Sequence, residues 1–512
     1  MNLKTKLISH TKHQLFANAS QVFFGVISSV FFARALGPAD FGRMQFVYWL
    51  IAIAGLLGTL GFNGTLSRFV GLYNGKKDAS NVQKIISICF FTELLLAILI
   101  TVLVFIFRGY IWGFFDEPLL VSSFWVLLLC IIPGCITDSF RFSLIGLQKI
   151  KDVSWFAVVS QFFSLILSVA LILLGYGLAE LFILNLIITC GKTLYLRQVL
   201  SRHIHISLLN FPDSELIRDL FKYNLLVAII VISDEIIWQR SEIFFLQKFS
   251  TPEQIAFYSL AFGWGARLIG FLPGVLGGFL IPVMSELFGQ NDVDRMEKSF
   301  YMISKYSSLV LIPLTFGFLS ISKSFVFFLY GETYSLVPAL MIPIFISKGY
   351  ISLFSSASSV VFASGRQMFI VKSGLILAAV NLILDYFMIK EFDALGAAWA
   401  TSIVHVMAAI ITLVYIVKYM KMKVPYKFQV KLLVACTIAY FIVKPLSDLR
   451  VGFIGLFGGF ILYVSIFFLI TKFMDLFSSE DKDLISLIEK KAPYKLKNLI
   501  LRFSNCEKII KL

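Results

Sequence analysis

Apolar runs long enough to cross a bilayer recur along almost the whole chain, separated by short polar links. They lie at roughly 16–32, 44–62, 85–107, 119–140, 153–175, 178–199, 223–247, 255–281, 301–322, 337–362, 371–389, 395–416, 430–446 and 453–471. A membrane-spanning helix needs about 20 predominantly apolar residues, and backbone groups that face lipid must be satisfied within their own segment or a closed barrel. These fourteen runs show no period-2 alternation, which disfavours a barrel and predicts an all-α polytopic membrane protein. Composition agrees, with 58% hydrophobic and 15% charged residues among 512, against about 45–50% and about 25% in soluble proteins. A soluble enzyme with a single anchor is excluded, because too little polar sequence remains to build one.

The formal charge is +15. A nucleic-acid binder gathers its basic residues into one solvated patch or stripe, whereas here they punctuate apolar runs, so no nucleic-acid partner is expected. The six cysteines, at 89, 130, 135, 190, 436 and 506, include no CxxC pair. They are read as free thiols packing like small apolar groups, with no disulfide framework and no metal site. The apolar stretch after Lys12 is interrupted by Asn18, Ser20 and Gln21 and runs on to Ala35, which favours a first spanning helix over a cleaved signal peptide.

Lys and Arg set the orientation. With the N-terminus cytoplasmic, 34 of the 45 basic residues fall on the inner side, 8 on the outer side and 3 (Arg240, Arg267, Lys348) within spans. Both termini are therefore expected in the cytoplasm, with the chain in the plasma (inner) membrane.

Loop residues repeat at nearly one offset. Pro38 and Pro252, Gly75 and Gly289, and Asp78 and Asp292 are each 214 apart, and Gly177 and Gly396 are 219 apart. The matches fall in equivalent loops, which makes helices 1–6 and 7–12 copies of like orientation, related by an axis along the membrane normal. The expected organisation is two six-helix lobes, 1–222 (with a cytoplasmic linker) and 223–429, followed by helices 13 and 14 in 430–471 and a basic cytoplasmic tail, 472–512. In that tail Leu484, Ile485, Leu487 and Ile488 are spaced for an amphipathic helix on the membrane surface.

FFARALGPADFGRMQF after the first helix, SRFVGLYNGKKD, FFLQKFSTPEQIAFYSLAF, MSELFGQND, FLYGETY and ALGAAWATS occur in this order from about residue 10 to about residue 416. Together they resemble the polysaccharide-exporter branch of the multidrug/oligosaccharidyl-lipid/polysaccharide exporter superfamily, whose members include flippases of lipid-linked O-antigen, capsule or exopolysaccharide repeat units. The resemblance implies fourteen helices in two lobes around a cavity that opens alternately to either side. It implies a polyprenyl-pyrophosphate-linked oligosaccharide as substrate, and other membrane proteins of polysaccharide assembly as partners besides the lipids.

Ionisable residues inside spans are costly and usually face a cavity or a partner. The segment ISDEIIWQRSEIFF carries Asp234, Glu235, Arg240 and Glu242. As one continuous helix it would place Glu235, Trp238, Glu242 and Phe245 on a single stripe. Arg267, Lys348 and Asp385 lie in later spans. The functional reading places Arg240, Arg267 and Lys348 in the central cavity, binding the substrate pyrophosphate, which calls for about two positive partners in a low-dielectric site. Arg68, just past the second helix, matches an arginine position common in the resembled family and is grouped with these cavity cations, where it either gates the inner mouth or simply obeys the positive-inside rule. Asp234, Glu235, Glu242 and Asp385 are the candidates for ion coupling. The competing structural reading pairs these cations and acids between helices to fix packing. Glu93 and Asp138 are placed nearer span ends, where snorkelling to the interface is ordinary, and His405 is read as a core histidine.

GLYNGKK and CGKT both lack the P-loop pattern, so ATP is not expected as the direct energy source, and no cofactor or catalytic residue is indicated. The alternative transport function is a cation-coupled (H+ or Na+) multidrug exporter of the same superfamily. Against it, helix 1 has no acid and helix 10 presents Lys348 to a cationic drug. A membrane-bound glycan enzyme is disfavoured by outer connections too short for a catalytic loop.

Overall fold

A computed structural model describes residues 3–115, 118–204, 206, 212–269, 283–290, 292–449, 452–474 and 476, with the backbone alone for 3–15, 118–122, 351–355 and 367. The regular elements among these residues are all helical. The first half comprises α1 (Leu3–Thr59), α2 (Phe62–Gly75), α3 (Ala79–Ile106), α4 (Arg108–Phe115), α5 (Pro118–Gly146), α6 (Ile150–Leu173) and α7 (Leu178–Ser201). The rest comprises α8 (Ser214–Trp238), α9 (Glu242–Phe249), α10 (Pro252–Leu268), α11 (Val293–Ser320), α12 (Ser322–Tyr330), the 3-10 turn Glu332–Tyr334, α13 (Val337–Ala363), α14 (Gln367–Met420), α15 (Tyr426–Leu449) and α16 (Phe453–Phe473). The second part of the expected span 255–281 and the amphipathic tail around Leu484 lie outside the described residues.

Two of these helices each hold two expected spans. The stretch Phe16–Thr59 is 44 residues long, about 66 Å at the helical rise, more than twice the roughly 30 Å hydrocarbon core. It is broken at Gly37, whose φ of 75° and ψ of 173° are non-helical. Glycine bears that positive φ without a Cβ clash, and Pro38 then opens the next segment, where its missing N–H costs no hydrogen bond. In α14 the break falls at Asp393, φ 48° and ψ −133°.

Nine stretches among the described residues are long and apolar enough to cross a membrane. With two crossings each in Phe16–Thr59 and Met368–Met420, they account for every expected span but three, at 223–247, 255–281 and 337–362. Those three carry Asp234, Glu235, Arg240 and Glu242, then Arg267, then Lys348.

The repeated residues recur in equivalent local structures. Asp78 caps α3 by accepting from the backbone N–H of Asn81 at 3.0 Å, and Asp292 caps α11 by accepting from that of Arg295 at 3.1 Å. Each satisfies a helix-start donor that has no partner within the helix. The amides of Asp78 and Asp292 donate to Tyr73 O and Leu287 O, both at 3.0 Å, five residues back in each case. Pro252 opens α10 as Pro38 opens the second segment of α1.

Within the first half α5 packs on α1, α2, α3 and α7, and in the second α14 packs on α8, α9, α10 and α13. The halves meet chiefly where α1 lies along α10, and again where α2 meets α8. Lipid supplies little hydrophobic drive for helix association, so close packing of small residues replaces it. Gly42 of α1 sits so tightly on the Pro252 carbonyl that a Cβ would overlap it. A shared core spans this seam, with Phe41, Phe46, Tyr258 and Phe345 all buried. Helices α15 and α16 pack on α11 and on each other.

Candidate substrate and ion sites

The segment read as one helix through Asp234 and Glu242 is interrupted. α8 ends at Trp238, Gln239 takes φ −99° and ψ −146°, and α9 starts at Glu242. The stripe joining Glu235, Trp238, Glu242 and Phe245 therefore does not exist. Breaking a helix frees carbonyls that need new donors, and here two side chains supply them. Ser241 Oγ donates to Ile236 O at 3.0 Å, and His405 Nε2 lies 2.8 Å from Ile237 O. A carbonyl only accepts, so Nε2 carries the proton. His405 is fully buried and stacked on Trp238 with ring centroids 4.7 Å apart, the core role read for it from sequence.

The break turns Glu242 inward, to 0% exposure, against α14. Thr401 Oγ1 donates to Glu242 Oε1 at 2.5 Å, and Tyr258 OH lies 2.9 Å from Thr401 Oγ1. One turn apart on the first segment of α14, Asn381 Nδ2 donates to Asp385 Oδ2 at 2.7 Å, while Ser241 Oγ lies 3.5 Å from the same oxygen. Asp385 and Asn381 are likewise fully buried. Glu242 Oε2, Asp385 Oδ1 and Asn381 Oδ1 have no hydrogen-bond partner. Two carboxylates and an amide oxygen with spare lone pairs, closed off from solvent, form a nest of hard donors suited to an alkali cation or a proton. No group of three or more His, Cys, Asp or Glu that could hold a metal ion occurs among the described residues.

The other two acids stand apart. Asp234 is exposed and lines a small cavity of about 40 Å³ with Ser233, Trp238, Gly374 and Thr412. Glu235 is half-buried on α8, within electrostatic reach of Arg240.

Arg240, at the break, donates from Nη1 to Gln45 Oε1 of α1 at 2.9 Å. The guanidinium of Arg267, on α10, lies against Gly25 of α1, where a Cβ would stand 3.6 Å from Nε. Arg240 and Arg267 are near enough for their charges to repel. Lys348, 6% exposed on α13, has its Nζ 4.6 Å from the centre of the Phe262 ring. Among the described residues, none of these cations forms an ion pair within 4.0 Å with Asp234, Glu235, Glu242 or Asp385. The interhelical ion pairs weighed from sequence are not made, although Lys348 and Glu242 attract each other at longer range.

Arg68 is elsewhere. It lies inside α2 instead of a loop, exposed, with its guanidinium 4.2 Å from the ring centre of Tyr223 on α8. Beside it Thr65 Oγ1 donates to Asn224 Oδ1 at 2.9 Å, and Asn224 Nδ2 donates to Leu60 O at 3.1 Å. This polar seam ties α2 to α8. The first segment of α1 is tied to the second half as well. Ser29 Oγ and Tyr330 OH are 3.0 Å apart, Trp264 Nε1 donates to Tyr330 OH at 2.7 Å, and Tyr334 OH donates to Ala33 O at 2.7 Å. Two polar seams thus join the halves, one between α2 and α8 and one between α1 and the Trp264–Tyr334 region.

Glu93 departs from its expected place. It lies near the middle of α3, 1% exposed, and neither carboxylate oxygen has a hydrogen-bond partner, so it does not snorkel. Asp138 on α5 pairs with Arg141 at 3.0 Å, with the two side chains 40% and 44% exposed.

The sequence matches the family model for "Polysaccharide biosynthesis protein" over residues 14–288. The chain belongs to that family. No curated protein matches it in sequence. This polysaccharide biosynthesis family member is similar in fold to a lipid II flippase, MurJ, in an inward closed conformation, with a TM-score of 0.72 at 16% identity, over 91% of this chain and 98% of that one. It is also similar to an inward-facing multidrug resistance MATE family transporter, with a TM-score of 0.64 at 14% identity over 77% and 93%. A third similar structure is a Pyrococcus furiosus transporter described as having a binding pocket of reverse polarity that suggests a different function, with a TM-score of 0.58 at 14% identity over 81% and 95%. The family member thus has the multi-pass helical fold of the multidrug/oligosaccharidyl-lipid/polysaccharide exporter superfamily that its motifs resemble.

In this family member, sequence reasoning missed Ser241, Tyr258, Asn381 and Thr401 around the acids and Gln45 beside Arg240. Asn381 had a usable signal, four residues before Asp385 and so on the same helical face. The others become neighbours only through contacts between helices far apart in sequence.

Proposed function

We propose that this protein moves a polyprenyl-pyrophosphate-linked oligosaccharide, the repeat unit of an O-antigen, capsule or exopolysaccharide, from the cytoplasmic to the outer leaflet by alternating access. It acts as a transporter and not as an enzyme, in the plasma membrane with both termini in the cytoplasm. The observation that carries the reading is the set Arg240, Arg267 and Lys348, none paired with an acid among the described residues, with both arginines at the α1 seam between the halves. Cations with no acid in contact in a low-dielectric setting are costly, and the cost is offset when an anion arrives. A pyrophosphate supplies that anion, held by charge-assisted hydrogen bonds. A cationic drug would meet the wrong sign, and pocket polarity is also the ground on which a different function is suggested for the P. furiosus transporter of this fold.

Coupling belongs to Glu242 and Asp385, completed by Asn381, Ser241 and Thr401. A cation bound there replaces hydrogen bonds the nest lacks and draws α9 and both segments of α14 together. Asp234 and Glu235, away from the nest, are assigned no part in it. The domain division follows the repeat, with lobes at 1–222 and 223–429, two further helices in 430–471 and a basic tail in 472–512.

The test is the fate of the lipid-linked glycan in a strain lacking the gene. Repeat units should accumulate on the cytoplasmic face while surface polysaccharide falls, with recovery on restoring the wild type but not Arg267→Ala. Absence of accumulation together with new sensitivity to cationic dyes would reverse the assignment in favour of drug export.

A further inference from the structure

The ion nest lies in the second half of the chain, yet the first half also buries an acid that the transport reading does not use. We propose that Glu93 is a proton-binding site of the first half, neutral when that half is closed and ionised when it opens to water beside Asp138. The inference goes beyond the cation nest and does not depend on it.

Four observations support it. First, Glu93 is 1% exposed and both its oxygens lack a hydrogen bond. An ionised carboxylate so placed has neither water nor a cation to stabilise it, whereas a protonated one retains a donor and loses little. Second, among the described residues its surroundings hold no cation. The neutral hydroxyl of Ser139 on α5, itself buried, faces it, and the thiols of Cys89 on its own helix and Cys135 on α5 lie around it. Third, there is a way out. Asp138, next to Ser139, acts on Glu93 through its charge and is 40% exposed. It sits two turns from Gly146, where α5 ends, and Arg141 on α5 and Lys192 on α7 both act on it. Fourth, no cation holds Glu93 ionised. Helices α1 and α2 also pack on α3, but among the described residues the charge acting on Glu93 is that of Asp138, a like charge that favours the neutral acid.

The step balances simply. On closure the Glu93 carboxylate takes a proton from bulk water by way of the Asp138 side, forming one O–H bond. On opening that bond breaks and the proton returns to water. Such a group makes the closed state of this half favourable at lower pH, independently of what occupies the nest around Glu242.

The experiment uses purified full-length protein in lipid nanodiscs, titrated between about pH 5 and 9 while infrared difference spectra follow the carboxylic-acid carbonyl stretch. In the Glu242→Gln/Asp385→Asn double variant, which lacks the acids of the nest, a protonated-acid band should persist, and adding Glu93→Gln should abolish it. In proteoliposomes carrying lipid-linked oligosaccharide, Glu93→Gln, which mimics the neutral acid in shape, should reach wild-type protein levels yet lose the pH dependence of transport. A band that survives Glu93→Gln in that background, or transport whose pH profile is the same in the Glu93→Gln variant and the wild type, overturns the proposal. Failure of the cation nest would show instead as unchanged cation dependence in Glu242→Gln, with the infrared result still standing.

Discussion

Thr401 donates to Glu242 at 2.5 Å across 159 residues of sequence, joining the short helix after the Gln239 break to the second segment of α14. Tyr258, on α10, approaches the same threonine oxygen at 2.9 Å. Three separate helices therefore meet at one hydroxyl beside a carboxylate that has a free oxygen. Thr401→Val removes the donor while keeping the shape of the side chain, and leaves Glu242 and Tyr258 unsatisfied at about 1–3 kcal/mol. Transport measured against cation concentration should need roughly tenfold more cation for half-maximal rate. An unshifted curve would separate the nest from coupling.

Each of Arg240→Ala, Arg267→Ala and Lys348→Ala should lower export while membrane levels stay near normal. Loss of one charge-assisted contact of about 1.5–3 kcal/mol translates to roughly 10- to 150-fold weaker binding of the headgroup. Export of surface polysaccharide, normalised to protein in the membrane, reports the effect. Wild-type export in all three variants would refute a cationic headgroup site.

The contact between α2 and α8 should part during the cycle. Thr65 and Asn224 are 2.9 Å apart at their side-chain oxygens, so cysteines introduced at both positions should cross-link on oxidation, in a background lacking the native thiols. Transport should stop on oxidation and return on reduction. Full transport by the cross-linked protein would show that this seam stays closed throughout.

Orientation gives a further check. A cysteine replacing Lys76, at the end of α2, should react with a membrane-impermeant reagent only from the cytoplasmic side, and one replacing Glu332 only from outside. Reaction from the opposite sides would invert the assignment of the loops.

Much of the fold was legible because lipid imposes one rule on every span. Apolar runs of the right length must be helices, and Pro38, Asp78, Pro252 and Asp292 mark where they begin. The break at Gln239 was less legible. Nothing between Ile232 and Phe245 is a proline or glycine, and the usual cue for an interruption is missing. The helix is opened from outside, by Ser241 and His405 taking over the carbonyls of Ile236 and Ile237. A periodicity argument that assumes an unbroken helix therefore placed Glu242 on the wrong face. Glu93 was misplaced for a related reason. Its distance from a span end, judged from hydropathy, changes once Asp78 is seen to start the helix well before the apolar run does.

The sequence by itself determined the class of molecule, a multi-helix membrane protein built on a repeat, and the identity of the charges it buries. Both follow from local quantities, hydropathy and spacing, that a bilayer reads one segment at a time. Tertiary structure decided which of those charges meet. Arg240 could have found Glu242 or Asp385 and instead reaches Gln45, while the two acids share a nest with Thr401, Asn381 and Ser241. In a low-dielectric interior the partner of a charge is set by which helices pack within about 4 Å of it, and that packing depends on contacts hundreds of residues apart that no local pattern encodes.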